Sequence, residues 1–282
     1  MPYGDGIERI NCYSLTDFHD FDFCPFRFFV KHHLNKKYEI EEGNPAMALG
    51  SLLDQSIKLF HKSKAYGQPS EYLINIVRAA FNEIRENVAR TSGPSFYSSI
   101  VPFLDHSVIS EANKIFVSYY GARNKKINRS LGYERFSEWV MEGEDGRFKL
   151  WGGADAYEIG DDGMPEVVDY KSRQNLEKGK NNLDMDLMPK IYVLLASKFL
   201  KNKGYDKARF KVRIWQDPLN EDYYEEFDLQ KIGDQENLFK QKINRILAVS
   251  EIKFCGREFC KACKSDKRDE LIKSLAGMGI YV

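Results

Sequence analysis

Hydrophobic positions along this chain change their period partway through. Residues 45 to 66, PAMALGSLLDQSIKLFHKSKAY, place Met47, Leu49, Leu52, Leu53, Ile57 and Phe60 at helical spacing and predict an amphipathic helix. Residues 70 to 90 and 104 to 122 read the same way. Residues 14 to 34, SLTDFHDFDFCPFRFFVKHHL, open on a Ser/Thr/Asp start signal and are dense in phenylalanine. From about residue 133 the period shortens. RFKLWGGADAYEIG (147–160) and PEVVDYKS (165–172) predict two strands around the turn signal Asp161-Asp162-Gly163. LMPKIYVLLASKFLKN (187–202) predicts a helix that tolerates Pro189 in its first turn. ARFKVRIWQ (208–216) and YYEEFDL (223–229) predict a further hairpin, and 231 to 249 a last helix. The order predicts an α/β fold, with a central mixed sheet flanked by helices and an N-terminal helical portion.

One strand breaks its own pattern. VVDYKSR (167–173) looks buried, yet it carries Asp169 and Lys171 two residues apart. In a strand these two share a face with Val167, while Val168 and Tyr170 point to the other side. If Asp161-Asp162-Gly163 forms a three-residue loop with a left-handed Gly163, residue 160 pairs with 164 and residue 155 with 169. Asp155 then sits opposite Asp169. Facing carboxylates repel, and a hard divalent cation such as Mg²⁺ removes the conflict. Lys171 on the same face can hold an attacking water or offset phosphate charge, which suits metal-assisted phosphodiester hydrolysis. The bland alternative is a solvated hairpin face.

Composition narrows the setting. The chain has 282 residues, 43% of them hydrophobic, enough for a substantial core. Its 42 basic and 42 acidic residues balance, so a polyanion must be met by a local patch. RNKKINR (123–129), KGKNN (178–182), KARFKVR (207–213) and CKSDKR (263–268) are such patches, and with Trp151, Trp215 and several tyrosines they could line a groove for a single strand. No apolar signal core opens the chain and no window has the roughly 20 apolar residues of a membrane span, so a soluble cytoplasmic protein without a membrane partner is expected. Of five cysteines, three form Cys255-x4-Cys260-x2-Cys263. In a reducing compartment that favours a metal over disulfides, with Cys24 as the fourth soft ligand; Cys12 is left over. Such a site clasps the N-terminal helices to the C-terminus and predicts one domain over 1–282: a helical portion (1–130), a catalytic sheet core (131–230) and a C-terminal helix and cysteine segment (231–282) closing on Cys24.

GGADAYEI followed by VVDYKS resembles the PD-(D/E)XK nuclease superfamily. More narrowly, it is similar to the RecB-like branch, which includes the CRISPR-associated exonucleases and the AddB-type helicase-nucleases. The resemblance implies a restriction-endonuclease-like core and a DNA nuclease dependent on Mg²⁺ or Mn²⁺. It implies Asp155 and Asp169 as metal ligands, the Tyr170 carbonyl as a further ligand, and Lys171 as the catalytic lysine. An upstream acidic residue is expected, and Glu138 is the candidate, with Glu134 behind it. The branch places a histidine where Gly50-Ser-Leu-Leu-Asp54 has Asp54, a harder ligand for the same ion. It places Gln-x-x-x-Tyr where Met188-Pro-Lys-Ile-Tyr192 keeps only Tyr192, its DNA contact. A CP dipeptide and three late cysteines resemble the branch's 4Fe–4S site, with Cys24, Cys255, Cys260 and Cys263 as ligands; zinc is the rival occupant.

The expected activity is a metal-dependent deoxyribonuclease, an exonuclease acting on single-stranded DNA. A helicase, recombination or CRISPR-adaptation protein is the partner class that the resemblance implies. The alternative is a nuclease-fold DNA-binding or assembly protein that has lost its chemistry, favoured by Asp54 and Met188 and opposed by Asp155, Asp169 and Lys171.

Overall fold

The computed structural model describes residues 11–35, 43–90, 95–123, 130–133, 137–143, 146–171, 187–216, 224–258 and 260–282. The chain begins with β1 (Cys12–Tyr13), α1 (Leu15–Phe23) and α2 (Pro25–His32). Helices α3 (Pro45–Lys62), α4 (Ser70–Arg90), α5 (Phe96–Ile100) and α6 (His106–Arg123) follow. Then come β2 (Ser130–Tyr133), β3 (Ser137–Gly143), β4 (Gly146–Gly152), β5 (Ala156–Ile159) and β6 (Pro165–Lys171). The rest is α7 (Met188–Asn202), β7 (Lys207–Ile214), β8 (Tyr224–Asp228), α8 (Glu236–Leu247), α9 (Lys261–Lys264) and α10 (Arg268–Ala276).

These elements fall into two compact units. The first draws on the chain before Glu42, on Glu138–Gly152 and on Gly233–Val282; the second on Glu42–Ser137 and Gly153–Ile232. The first unit holds a three-stranded sheet, β1-β4-β3, and the second a five-stranded mixed sheet, β2-β5-β6-β7-β8. The run 147–160 is therefore not one strand. It divides at Gly152-Gly153, giving β4 to one sheet and β5 to the other. Residues 138–152 belong with the chain's two ends, not with the unit whose sheet carries Asp169.

In the second unit, α3 starts where the Asn44 side chain accepts the Met47 N–H at 2.9 Å and Pro45 needs no acceptor. Its apolar stripe, Leu52, Leu53, Ile57 and Phe60, is fully buried with Phe116, Tyr119 and Tyr120 of α6 against Ala156, Val168, Tyr170 and Trp215. Each such side chain contributes about 1.5–3 kcal/mol relative to exposure. Trp215 is 1% exposed, so it is core and no part of a groove. The turn between β5 and β6 has the expected form: Gly160 donates to the Met164 carbonyl at 2.8 Å, and Gly163 takes a φ of +84°. The ladder pairs Ala156 with Val168 and Ile159 with Pro165. β7 joins β6 in parallel and β8 pairs antiparallel with β7, as the predicted hairpin requires.

In the first unit, the phenylalanine-rich run divides into α1 and α2 at Cys24-Pro25. Ser14 and Asp17 form a capping box at the start of α1, with the Ser14 N–H donating to Asp17 at 2.7 Å. Cys24 is extended and Pro25 begins the next helix. His32 is buried, stacked on Tyr13 and Phe28, with its Nε2 2.9 Å from the Cys12 carbonyl oxygen. Its sequence context reads as surface, but β1 supplies the partner that lets it go inside. Among the described residues, no helix is long and apolar enough to cross a membrane.

Candidate active site

β6 presents different chemistry on its two faces. On one, the Lys171 ammonium pairs with Asp169 at 2.6 Å; Asp169 is buried and Lys171 partly so. Asp155 lies just before β5, where the backbone ladder ends at Ala156. Its carboxylate continues the pairing by accepting the Tyr170 N–H at 2.7 Å. The strand that carries Asp169 thus fixes Asp155 as well.

The charges at this end of the sheet are in conflict. Burial, and then the Asp169 and Asp54 carboxylates, push the Asp155 carboxyl well above the ordinary aspartate range. Lys171 and the Tyr170 N–H oppose that shift without cancelling it. Asp54, half-buried on α3, therefore belongs to the same electrostatic neighbourhood as Asp155 and Asp169. A buried carboxyl whose ionisation is opposed by two neighbouring carboxylates belongs to a donor set that a hard dication relieves. Burial works against the Lys171 charge, yet Asp169 above all, with Tyr192 and Asp155, holds it protonated beyond the ordinary lysine range.

Tyr192, on α7, is half-buried and stacks on Phe210 at 5.9 Å. Burial raises its phenol, Asp169 adds to the rise and Lys171 opposes it, which puts the ring beside this pair. Met188, one turn earlier, is 1% exposed. The position where the RecB-like branch has glutamine is core here, and an amide there would lack water.

The opposite face of β6 holds what the sequence reading missed. Glu158 and Glu166, paired across the β5–β6 ladder, both accept from Arg213, Glu166 at 2.7 Å. Lys211 and Arg209 reach Glu166 at 3.3 and 3.4 Å, and the Tyr170 hydroxyl donates to Glu158 at 3.0 Å. Burial alone would raise Glu158, but Arg213 outweighs it and holds the carboxyl below its usual range. Arg209, Lys211 and Arg213 of KARFKVR are therefore engaged in an ion network with these carboxylates, while Lys207 is exposed. The available signal was alternation: Glu158, Glu166, Arg209, Lys211 and Arg213 share the strand parity of Tyr170. RNKKINR from residue 124 onward, all of KGKNN, and Glu134 lie outside the described residues.

Glu138 belongs to the other compact unit. It lies in β3 of the first unit, where it pairs with the buried Lys149 at 2.9 Å. That unit also holds the cysteine group. The sulfurs of Cys24, Cys255, Cys260 and Cys263 all lie within 4.8 Å of one another. Cys24 caps α2, accepting the Arg27 N–H at 3.5 Å, and Cys260 opens α9. Burial lifts the Cys24 thiol to about 11 and pushes Cys263 higher still. Four converging thiols need their protons displaced by a metal, which fits a thiophilic site. Cys12 is not one of this group.

Residues 13–268 match the PD-(D/E)XK nuclease superfamily. No curated protein matches this chain at a significant level. One solved structure, "Crystal structure of SSO0001", aligns over 76% of this chain and 83% of its own at 14% identity, with a TM-score of 0.29 that carries no argument.

Proposed function

The chain belongs to the PD-(D/E)XK nuclease superfamily, and from that premise we propose that it hydrolyses DNA phosphodiesters at the Asp54, Asp155, Asp169 and Lys171 group, acting on single strands from their ends. The observation that carries the reading is geometric: the Tyr170 N–H holds the Asp155 carboxylate at 2.7 Å beside the Asp169–Lys171 pair, which is closed at 2.6 Å. Asp155, Asp169, Asp54 and the Tyr170 carbonyl would hold Mg²⁺ or Mn²⁺. The bound ion supplies Lewis acidity and a water activated at neutral pH. Lys171, kept protonated, is unsuited to act as a base; it orients the water and offsets charge gathering on the phosphate oxygens. Tyr192 beside it offers a ring edge and a hydroxyl to the bound strand. Glu138, paired with Lys149, carries no step in this scheme.

The preference for single-stranded ends rests on the RecB-like resemblance and on the lack, among the described residues, of an element suited to reading a duplex groove. The four cysteines belong to the reading as a structural metal site, 4Fe–4S as in that branch or a single zinc. The second reading, a nuclease fold that binds without cutting, is favoured by the buried Met188. One assay separates the two: linear and circular single strands and blunt duplex, incubated with Mg²⁺ or Mn²⁺, with and without chelator. Metal-dependent loss of linear single strands is expected. Rapid cutting of closed circles would refute the need for ends, and no cutting of any substrate would leave the binding reading.

A further inference from the structure

We infer that the four-cysteine site takes one tetrahedral zinc ion in place of the iron–sulfur cluster that the RecB-like resemblance implies. The argument is the spacing of the sulfurs. Cys24 and Cys263 are 3.5 Å apart, Cys255 and Cys263 3.8 Å, and no pair among the four exceeds 4.8 Å. Four thiolates bound tetrahedrally at about 2.3 Å to a single zinc stand about 3.8 Å apart. In a 4Fe–4S cluster each thiolate binds a different iron at the corner of a cube, and the sulfurs diverge to about 6 Å apart. A 2Fe–2S rhomb separates its two thiolate pairs by a similar span. A cubane would therefore have to push every one of these cysteines outward.

The backbone around the site resists that expansion. Cys24 is held at both ends: its N–H donates to the Asp20 carbonyl at 2.8 Å, and its sulfur sits at the N-terminus of α2 under the Arg27 N–H. Asp20 is itself buried and paired with Lys31 and Arg27. Cys260 caps α9 and Cys263 lies within its single turn, a Cys-x2-Cys knuckle of the length that single-ion sites use. Cys24 and Cys260 are fully buried and Cys263 nearly so, and a sulfur tetrahedron with no edge above 4.8 Å is too small for four irons and four sulfides. Four thiolates also fill the coordination sphere, so the ion is structural, with no position open to substrate.

The test uses the full chain expressed with both iron and zinc available and purified without oxygen. Metal content and acid-labile sulfide are measured directly, so the result does not depend on nuclease activity and stands whether or not DNA is cut. About one zinc per chain, no sulfide and a colourless protein are expected. Exchange with Co²⁺ should give the intense visible bands of a tetrahedral tetrathiolate, and Cys24→Ser or Cys260→Ser should weaken those bands. Iron and sulfide at about four each per chain, with a brown colour, would overturn the inference. Folded protein with neither metal, and no cobalt bands on titration, would overturn it too.

Discussion

The carboxylate site and the thiol site solve opposite problems. In the second unit, hard oxygen donors sit on regular strands, and the ladder forces like charges together. In the first unit, soft donors come from a helix cap, a loop and a short turn of helix, and the loop from 253 to 258 has little regular structure to hold it. The carboxylates are positioned before any ion arrives, because Tyr170 and the β5–β6 register set them. The four sulfurs also converge, within 4.8 Å of one another, but through caps and loop rather than a strand ladder. On the proposed reading, a dication at the carboxylates serves chemistry and the ion at the cysteines serves shape.

The sharpest way to break this contrast is to delete one site and watch the other. Asp169→Ala, Asp155→Ala or Lys171→Ala should each lower DNA cleavage by about a thousandfold or more. Melting temperature and zinc content should stay near those of the unaltered protein. Full cleavage by any one of the three would remove that residue from the site. Loss of zinc in any of them would show that the two sites are not separable.

The converse experiment removes a thiol. Cys24→Ser should release the ion and cost several kcal/mol of stability, because ion binding and folding of that segment are one event. Calorimetry or thermal melting of the metal-loaded protein would show it as a drop of several degrees or as a second, earlier transition. Unchanged melting with zinc absent would mean that the first unit holds itself together by packing alone.

A subtler variant probes what sets the carboxylates. Tyr170 donates its N–H to Asp155 and its hydroxyl to Glu158, so it links the ion network on one face to the acidic group on the other. Tyr170→Phe keeps the ring stacked on Trp215 and removes only the link to Glu158. Mn²⁺ affinity, read by calorimetry, should fall by roughly threefold to tenfold, only part of the worth of a hydrogen bond to a charged group because the lost bond lies on the far face of the strand. Affinity equal to that of the unaltered chain would mean that the backbone ladder suffices.

How much of this was legible in the sequence follows the same contrast. The register that puts Asp155 opposite Asp169 could be counted from Asp161-Asp162-Gly163, because a period of two and a tight turn leave one solution. The four cysteines could be grouped by residue type, but their sulfur spacing, which decides between zinc and a cluster, is set by loops with no period. Glu138 is the upstream acid that the resemblance expects, and 133–160 reads as one strand-rich stretch. Only pairing shows that β3 and β4 go to a separate sheet. The Glu158, Glu166 and Arg213 network was hidden because charge in sequence signals solvent, and three basic residues in a row of alternate positions read as a patch for phosphate. Their partners lie 43 to 55 residues away in sequence, beyond any local pattern.

The smallest expected effect separates resemblance from structure. Met188→Gln restores the glutamine of the RecB-like branch one turn before Tyr192. If that glutamine's role were available here, cleavage should rise. The side chain at 188 is 1% exposed, however, and its neighbours on α7, Ile191, Leu194 and Leu195, are buried. An amide placed there without partners costs about 1–3 kcal/mol, and it would reach DNA only if the first turn of α7 moved. The expected outcome is a melting temperature lower by a few degrees and a cleavage rate within twofold of the unaltered chain. A clear gain in cleavage of single strands would show that this turn opens onto the substrate. It would make the methionine a weakened DNA contact rather than a core residue, and the active end of the sheet would then extend further along α7 than Tyr192.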